Sequence, residues 1–351
     1  MSQVTIIIPT LNRHNLLLRA IDYYQHFDCN ILVADSSAIK ENCKFPDNFI
    51  YKYLPGIGYA KKLLEAAKDV TTPYVCLVAD DDYLLESSLK AGVNFLDANL
   101  DYVSAQGRYL GFELIENQVI FSTRYGRTIS HYAVEAEDRF SRLAEAFNPC
   151  MHHLYAIHRT DLFVKSFQLP GESPICHETL WKGLSLTEFT QPLVPMCYGK
   201  HKVLPVLWMV RDTYQFDLAR YQKKLKVVSV VSTYKRINCI INEIENFLRS
   251  EECLLLKKNF GAIVSELVSS KESEKLFNVA FKSLIKSFIN ERNKMIIKKI
   301  MKSFVPTWVL SGYIKRKKNR HMGGVETTPS AKDALDKVRL SILTFPKCYD
   351  R

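Results

Sequence analysis

The hydrophobic pattern of the first hundred residues alternates between short apolar runs and segments with helical spacing. Residues 4–8 are a run rich in β-branched side chains, typical of a strand buried on both faces. Residues 13–26 carry apolar side chains at helical intervals, which predicts a helix. The same reasoning predicts further strands at 29–34, 49–53 and 74–79 and further helices at 59–68 and 85–96. This alternation predicts an α/β domain with a doubly wound, mostly parallel sheet, whose ligands bind at the carboxyl ends of the strands.

The pattern changes further along the chain. Residues 103–215 mix short strands with aromatic-rich loops, whereas the residues beyond about 217 show long helical periodicity with few glycines. Two stretches there, 227–248 and 261–304, are amphipathic, and 321–332 have the polar composition of a loose linker. The predicted organisation is an α/β domain at 1–215, a basic helical region at 216–320 and a tail at 321–351.

The positive net charge of the chain indicates which classes of binding partner to expect. Its net charge is +11, from 48 Lys and Arg against 37 Asp and Glu. Such an excess favours an acidic partner, which is a nucleic acid, a phosphorylated substrate or an anionic membrane surface. No nucleic-acid recognition motif accompanies the charge, so we do not expect nucleic acid among the partners.

Three features predict a cytoplasmic protein that does not span a membrane. The N-terminal sequence MSQVTIIIPTLNRH lacks the basic start and the cleavage site of a signal peptide. The best late apolar stretch, 296–314, is interrupted by Pro306 and by lysines, which are costly inside a bilayer. The nine cysteines show no CxxC pair and no regular spacing, which fits free thiols in a reducing compartment.

Three consecutive aspartates, Asp80, Asp81 and Asp82, come directly after the strand predicted at 74–79. Their charges repel one another unless a cation lies among them. Mg²⁺ and Mn²⁺ prefer carboxylate oxygens together with substrate phosphates, so a divalent ion is the natural candidate. The alternative is a solvated turn that caps the next helix, a place where Asp is favoured.

Polar residues also follow the first two predicted strands. Asp35 ends the second strand and is followed by Ser36-Ser37, so its carboxylate could accept hydrogen bonds from a base or a ribose. The first strand leads into Pro9-Thr10-Leu11-Asn12-Arg13. Taken alone, this segment favours a turn in which Thr10 or Asn12 caps the following helix over a ligand contact.

In combination and order, these segments resemble the family 2 glycosyltransferases with the GT-A fold. The resemblance covers residues 3–100 and is carried by IIIPTLNR, VADSS, the glycine-containing PGIGYAKK and the acidic LVADDDY. Two details depart from the family pattern. Ala79 occupies the first position of the commoner Asp-x-Asp-Asp form, and Leu54-Pro55-Gly56 and Lys61-Lys62 replace the elements usual around the glycine loop.

The resemblance implies an enzyme that moves a sugar from a nucleoside-diphosphate sugar to a hydroxyl of a glycan or lipid-linked glycan, with Mn²⁺ or Mg²⁺. It implies that Asp80 and Asp81 lie near the ribose and the metal, and that Asp82 and Asp80 bind the metal that bridges the diphosphate. The remaining residues implied at the donor are Pro9, Thr10, Arg13, Asp35 and Lys61. An inverting transfer within bacterial surface polysaccharide synthesis follows from the same resemblance.

The reaction needs a base that takes the proton of the acceptor hydroxyl. In the family this base is an acidic residue about a hundred positions after the metal motif, at the start of a helix, and Glu178 has that position here. Glu178 is equally a first-turn acid favoured by the helix dipole. Asp138 is the second candidate, although its surroundings also fit a solvated helix face.

Other residues allow both a functional and a structural interpretation. Arg211 either pairs with the diphosphate of the donor or forms a salt bridge with Asp212 or another acid. His201 could complete a metal site, but a histidine between Lys200 and Lys202 is more often exposed. A zinc site has five candidate ligands in a spacing that matches no structural zinc pattern: Cys150, His152, His153, Cys176 and His177.

The basic residues concentrate at 292–320, where they alternate with aliphatic and aromatic side chains. Such a segment suits a helix in the headgroup layer of an anionic membrane, next to a lipid-linked acceptor at its inner face. The alternative is a helix that packs on the core and exposes a basic face.

Two other functions remain open at this point. A sugar nucleotidyltransferase has a similar sheet and acidic residues, but it would carry a basic, glycine-rich loop after the first strand. A non-catalytic glycan-binding or scaffold protein could retain the fold without the chemistry. A nucleotide-dependent switch is disfavoured, because neither GxxxxGK[ST] nor GxGxxG follows the first strand.

Overall fold

The computed structural model of the 351-residue chain describes most of its α/β part and much of its helical part. The described residues are 3–115, 117–123, 132–148, 153–172, 186–212, 242, 245–246, 249–303 and 329–348.

A sheet of ten strands forms the centre of the described structure. The strands are β1 Val4–Thr10, β2 Asn30–Asp35, β3 Phe49–Tyr53, β4 Tyr74–Leu77, β5 Tyr83–Leu84, β6 Tyr102–Ile115, β7 Gln118–Thr123, β8 Ala133–Val134, β9 Ile157–Arg159 and β10 Lys200–Asp212. Their order is β3-β2-β1-β4-β9-β6-β10-β5, with β7 paired to β6 and β8 to β10. The first four strands are parallel, as predicted. β9 separates β4 from β6 and runs antiparallel to both, so the second half of the sheet is mixed.

Helices cover the sheet and continue beyond it. They are α1 His14–Tyr24, α2 Tyr59–Ala67, α3 Glu86–Ala98, α4 Arg139–Ala146, α5 Thr160–Glu172, α6 Leu186–Leu193, α7 Pro195–Tyr198, α8 Glu251–Ile263, α9 Ser270–Ser303 and α10 Pro329–Thr344. The elements predicted in the first hundred residues all occur, with ends within about two residues of the predicted ones. The α/β class and the helical C-terminal region are confirmed.

The burial of β1 explains why the sequence signal is strong there. Ile6, Ile7 and Ile8 are all fully buried, because helices pack on both faces of the sheet. On one side α1 contributes Leu17 and Ala20, and on the other α2 contributes Leu63. The parallel half is therefore a three-layer core, and in sheets of this kind ligands bind at the carboxyl ends of the strands.

The C-terminal helices pack on the α/β part. Phe260 of α8 and Phe277 and Phe281 of α9 share a core with Phe189 of α6. Helix α10 lies against α1, α3 and β7. The predicted linker at 321–332 reaches into this helix, which begins at Pro329. No helix in the described part of the chain combines the length and the apolar run that a membrane crossing needs.

Candidate functional site

The carboxyl ends of β1, β2 and β4 lie side by side. The register of the parallel pairs places Thr10 of β1 opposite Asp35 of β2, and Ile7 of β1 opposite Leu77 of β4. The three aspartates follow β4 and precede β5, which pairs with β10 near Val210. The topology thus brings together the polar segments that the sequence separates by up to two hundred residues.

The aspartates Asp80, Asp81 and Asp82, named the acid turn from here on, form a tight and mostly buried turn. The N–H of Asp82 donates to the carbonyl of Ala79 at 3.1 Å, which closes the turn. Asp80 and Asp82 are only 2% and 1% exposed. The alternative of a solvated cap is wrong, because the residue that caps α3 is Leu85, without a side-chain bond.

Arg13 binds two carboxylates of the acid turn at once. Its guanidinium lies 2.8 Å from Oδ1 of Asp80 and 2.6 Å from Oδ2 of Asp81. The Thr10 hydroxyl donates to Oδ2 of Asp80 at 2.8 Å. These are charge-assisted bonds between groups that are largely shielded from water, so they hold the carboxylates in defined directions.

Thr10 and Asn12 do not cap α1, so that alternative is wrong. The capping position is Arg13, and it makes no side-chain capping bond. Asn12 has a positive φ of 53°. It bonds instead to the segment after β2, because its amide oxygen accepts from the N–H of Ala38 at 3.0 Å and its own N–H donates to the Ser37 hydroxyl at 2.7 Å.

Strand β10 supplies the partners of the third aspartate. Nε of Arg211 donates to Oδ2 of Asp82 at 2.8 Å, and the N–H of Asp212 donates to Oδ1 at 3.1 Å. The Arg211 guanidinium also lies over the ring of Tyr155, 4.5 Å from its centre. In the described structure Arg211 therefore pairs with an acid of the turn, which is one of its two predicted roles.

Burial changes the proton affinity of the acid turn. It raises the pKa of Asp80 to about 6, although the charge of Arg13 acts in the opposite direction. It likewise raises the pKa of Asp82 to about 6, against the effect of Arg211. Both carboxylates are thus mainly ionised at neutral pH, and they depend on nearby positive charge to remain so.

Asp35 is fully buried at the end of β2. Its Oδ1 accepts from the N–H of Ser37 at 2.8 Å, and its Oδ2 accepts from the Tyr51 hydroxyl at 2.7 Å. His14 lies between two acids, with Nε2 3.6 Å from Asp35 and Nδ1 3.3 Å from Glu41. The predicted residue is therefore hydrogen-bonded to β3 through Tyr51, and it lies close to His14 at the start of α1.

The two adjacent lysines of α2 differ in placement. Lys61, the residue named in the prediction, is exposed. Lys62 is only 3% exposed, and its ammonium group donates to the carbonyl of Thr10 at 2.7 Å and to the Ser36 hydroxyl at 2.9 Å. Pro9 is buried within β1 beside Ala34.

Sequence reasoning missed two cations. Lys62 is one, and Arg19 of α1, which is fully buried and bonds to the main chain of the acid turn, is the other. Both lie at positions of the helical pattern that face the sheet: Arg19 lies three residues after Leu16, and Lys62 lies beside Leu63. A charged residue on the buried face of an amphipathic helix was the signal that could have found them.

The remaining predicted residues lie apart from this cluster or outside the described chain. Glu178 lies outside the described residues, as do Cys150, His152, Cys176 and His177. Asp138 is exposed and caps α4, where it accepts from the N–H of Ser141 at 2.9 Å. Its alternative role as a helix-surface residue agrees with this placement.

His201 is buried, so the expectation of an exposed histidine is wrong. Its Nδ1 lies 2.8 Å from the Ser104 hydroxyl, and its ring stacks on that of His153 with the centres 4.1 Å apart. Burial lowers its pKa to about 3. Side chains alternate along a strand, so Lys200 and Lys202 project from the face opposite to His201.

The acid turn has ligand chemistry that suits a hard divalent cation, because its side-chain donors are carboxylate oxygens. In the described structure these oxygens already accept bonds, mainly from Arg13 and Arg211. Among the residues described, no three His, Cys, Asp or Glu side chains are arranged as a metal site. A cation would repel both guanidinium groups, so it fits this turn when they move towards another anion.

Comparison with known proteins agrees with this arrangement. Residues 5–149 match the family model described as glycosyl transferase family 2. No curated protein matches the sequence.

Solved structures resemble the chain only distantly. The structure of S. aureus TarS 1–349 in complex with UDP-GlcNAc aligns with 84% of this chain and 92% of its own, at 14% identity and a TM-score of 0.42. Mannosyltransferase PcManGT from Pyrobaculum calidifontis, in complex with GDP-Man and Mn²⁺, aligns with 99% of this chain and 88% of its own, at 12% identity and a TM-score of 0.43. Likeness at this level transfers neither ligand to this chain.

The family match spans β1, β2, β3 and β4 and the acid turn, and therefore the strand ends at which the polar residues meet. The predicted enzyme class, a glycosyltransferase, is confirmed. The chain carries a glycosyl transferase family 2 domain over residues 5–149.

Proposed function

We propose that this chain transfers a sugar from a nucleoside-diphosphate sugar to a hydroxyl of a glycan or a lipid-linked glycan, with Mn²⁺ or Mg²⁺ at the acid turn. The observation that carries the proposal is the buried acid turn at the carboxyl end of β4, which lies within the family 2 match and is held by Arg13 and Arg211. A tight group of carboxylates and guanidinium groups can bind a divalent cation and a diphosphate together, because each ligand neutralises the partner that the other displaces.

The nucleotide end of the donor would lie at β1 and β2. Asp35 is an acceptor when ionised, so it can receive the N3–H of uracil or the N1–H of guanine. Such a contact requires that the base replace one of its present donors, Tyr51 or Ser37. Pro9 and Thr10 lie beside Asp35 across the β1–β2 pair and would border the same base.

The diphosphate would lie among the cations of the acid turn. Arg13, Arg211 and the buried Lys62 surround this edge of the sheet, and guanidinium groups bind phosphate as readily as carboxylate. Asp82 and Asp80 would hold the metal, and Asp81 would lie near the ribose and the metal. When bound, the metal supplies a Lewis acid that stabilises the charge of the leaving diphosphate.

The acceptor hydroxyl would be activated by Glu178, as the sequence suggests. In an inverting transfer the acceptor oxygen forms a bond to the anomeric carbon while the bond from that carbon to the phosphate oxygen breaks. The diphosphate leaves with the bonding electron pair, and the carboxylate takes the proton of the hydroxyl. Asp138 is less suited to this role, since its carboxylate already caps α4.

We also propose that the basic segment 292–320 binds the enzyme to the cytoplasmic face of an anionic membrane, where a lipid-linked acceptor would be found. Vesicle flotation tests this proposal. The protein should float with vesicles that contain phosphatidylglycerol and lose this binding when five basic residues of the segment are replaced by Gln. Equal binding to neutral phosphatidylcholine vesicles would contradict the role of charge.

The donor site is tested by thermal stabilisation with UDP, GDP and their sugar conjugates, with and without Mn²⁺. A ligand at about a hundred times its Kd stabilises the folded state by about 2.7 kcal/mol, which is a measurable rise in Tm. We expect a rise that depends on Mn²⁺ and is specific for one nucleotide. Asp81→Asn should abolish it, because the substitution removes the charge of a carboxylate proposed to lie near the ribose and the metal. Asp81 is the least buried of the three acids, so this variant should still fold.

The matched control for this experiment is Asp101→Asn. Asp101 is also paired to a cation, Lys200, but on the protein surface. This variant should melt and bind as the wild type does. If no nucleotide shifts the Tm of the folded wild type, the donor-site proposal is wrong. That result would favour the alternative of a non-catalytic glycan-binding protein.

A further inference from the structure

Arg19 lies in the middle of α1, on the face that packs under the acid turn. It is fully buried, between Leu16 and Ala20 in the helical pattern. A guanidinium group rarely remains in such a place unless its charge and its N–H donors find partners there, because burying an unpaired charge is costly. The partners of Arg19 therefore indicate what the residue is for.

The Arg19 guanidinium donates to three successive main-chain carbonyls. Nη2 donates to the carbonyl oxygen of Asp80 at 2.5 Å and to that of Asp82 at 3.2 Å, and Nη1 donates to that of Asp81 at 3.4 Å. The guanidinium is planar and carries its N–H groups in a fixed fork, so three bonds from it define the positions of three peptide groups. These peptide groups carry the carboxylates of the acid turn.

Tyr83, the residue that follows the acid turn, also contacts the Arg19 guanidinium. The ring of Tyr83 lies against Arg19, with its centre 4.0 Å from Cζ. Tyr83 is itself fully buried and belongs to β5, which the sheet fixes through β10. The guanidinium thus lies between a fixed strand and the turn, and its orientation is determined by both.

We propose that Arg19 is the positioning residue of the donor and metal site, acting through the main chain of the acid turn. Three adjacent carboxylates repel one another and would open the turn. Bonds to their carbonyls hold the backbone closed, and the positive charge beneath them offsets part of the repulsion. The side-chain cations Arg13 and Arg211 can then exchange partners without loss of the turn. This inference rests on the proposed function.

The alternative is that Arg19 only stabilises the core, and Arg142 allows the two roles to be separated. Arg142 is also buried, at 6% exposure, and bonds to main-chain carbonyls of the segment before α4 and of α7. Its acceptors are the carbonyl oxygens of Ala136, Glu137, Met196 and Cys197. Loss of either arginine removes a comparable buried network, but only one network includes the acid turn.

The experiment compares Arg19→Lys, Arg19→Met and Arg142→Met by titration calorimetry. The probe is UDP or GDP, whichever binds the wild type, with Mn²⁺ at about 1 mM. Calorimetry gives both the Kd and the fraction of binding-competent protein. A purely structural loss lowers that fraction, whereas a displaced acid turn raises the Kd of the protein that remains folded.

We expect both Arg19 variants to raise the Kd about tenfold to a hundredfold, the usual effect of losing a group that orients metal ligands. Arg142→Met should lower the Tm at least as much and leave the Kd unchanged. Wild-type Kd in folded Arg19 variants, or an equal rise in Arg142→Met, would overturn the inference while the proposed function stands. Absence of nucleotide binding by the wild type would overturn both.

A further variant keeps the inference testable if the Arg19 variants do not fold. Tyr83→Leu removes the ring that orients the guanidinium and leaves Arg19 in place. It should raise the Kd for the same nucleotide and Mn²⁺ in the same direction, by about threefold to tenfold, as expected for loss of a buried cation–π contact of about 1 kcal/mol. An unchanged Kd in this variant would contradict the inference.

Discussion

The acid turn and a cluster of histidines are both buried polar groups on the same sheet, but they differ in charge and in place. The histidine cluster consists of His153, His158 and His201, all of them fully buried. It lies among β6, β9 and β10, within the sheet, and burial keeps His158 and His201 neutral by lowering their pKa values to about 4 and about 3. The acid turn lies at the strand ends, carries charge and is bound by arginines.

This difference distinguishes buried polar residues that stabilise the fold from buried polar residues that can bind a ligand. The rings of the histidine cluster stack and bond to Ser104, Tyr132 and a main-chain carbonyl, and in the described part of the chain they form no ion pair with an arginine. Carboxylates paired to arginines at an edge of the sheet can instead exchange those partners for a cation and a phosphate. Burial of titratable residues alone therefore does not identify a site. Charge at the carboxyl ends of parallel strands does.

The largest effect is expected for Asp82→Ala, which removes the buried partner of Arg211. Loss of one member of a buried ion pair costs about 3–5 kcal/mol, because the other charge is left uncompensated. Urea unfolding should show this loss, and Mn²⁺-dependent nucleotide binding should disappear. Retained binding in the folded variant would show that the third aspartate does not belong to the site.

The histidine cluster should behave in the opposite way. His201→Ala removes a stacked, fully buried ring and should lower the free energy of unfolding by about 2 kcal/mol. The Kd for nucleotide with Mn²⁺ should stay at its wild-type value in the protein that remains folded. A change of Kd of more than about threefold would mean that the histidine cluster contributes to nucleotide binding, and that it does not differ in function from the acid turn.

The histidine cluster and the acid turn should also differ in how they change the free energy of unfolding with pH. A histidine whose pKa falls from 6.5 to about 3 on folding contributes stability that is present above pH 6.5 and is lost as the pH falls. The slope is about 1.4 kcal/mol per pH unit for each such group. The raised pKa values of Asp80 and Asp82 act with the opposite sign below about pH 6.

The variant His201→Gln should therefore lose less stability between pH 6.5 and 5 than the wild type does. Urea unfolding at pH 7, 6 and 5 measures both slopes, and the difference between the two proteins cancels the contribution of the aspartates. Parallel slopes would mean that His201 is not buried as a neutral ring.

The smallest effect is expected at a titratable residue outside both clusters. Asp138→Ala removes an exposed helix cap and should cost about 1 kcal/mol of stability. Sugar transfer by the folded variant should equal that of the wild type, since this carboxylate faces solvent on α4. A loss of transfer of more than tenfold would instead support Asp138, the second candidate, as the base.

The sequence predicted the parallel half of the fold well because its physical signal is local. Runs such as residues 4–8 are buried on both faces, and the helices between them have clear apolar stripes. The second half resisted prediction, since β9 is only three residues long and β10 is irregular, with register shifts against β6. Such pairings depend on contacts distant in the chain.

The sequence predicted the acidic residues of the candidate site better than its cationic residues. Carboxylates after strands stand out in a sequence, whereas a cation within a helix is usually interpreted as solvated. Arg19 and Lys62 were missed for this reason, whereas Lys61, which was predicted, is exposed and stays a prediction. His201 was misjudged because its neighbours are lysines, although the alternation of β10 turns it to the other face.

A crystal structure of the protein with Mn²⁺ and the nucleotide that stabilises it, with diffraction recorded at the manganese edge, tests whether the acid turn is the metal and donor site. We expect an anomalous peak at the carboxylates of the acid turn, with Arg13 or Arg211 turned from its aspartate to the diphosphate. A nucleotide bound away from the ends of β1, β2 and β4, or manganese bound elsewhere, would contradict this expectation.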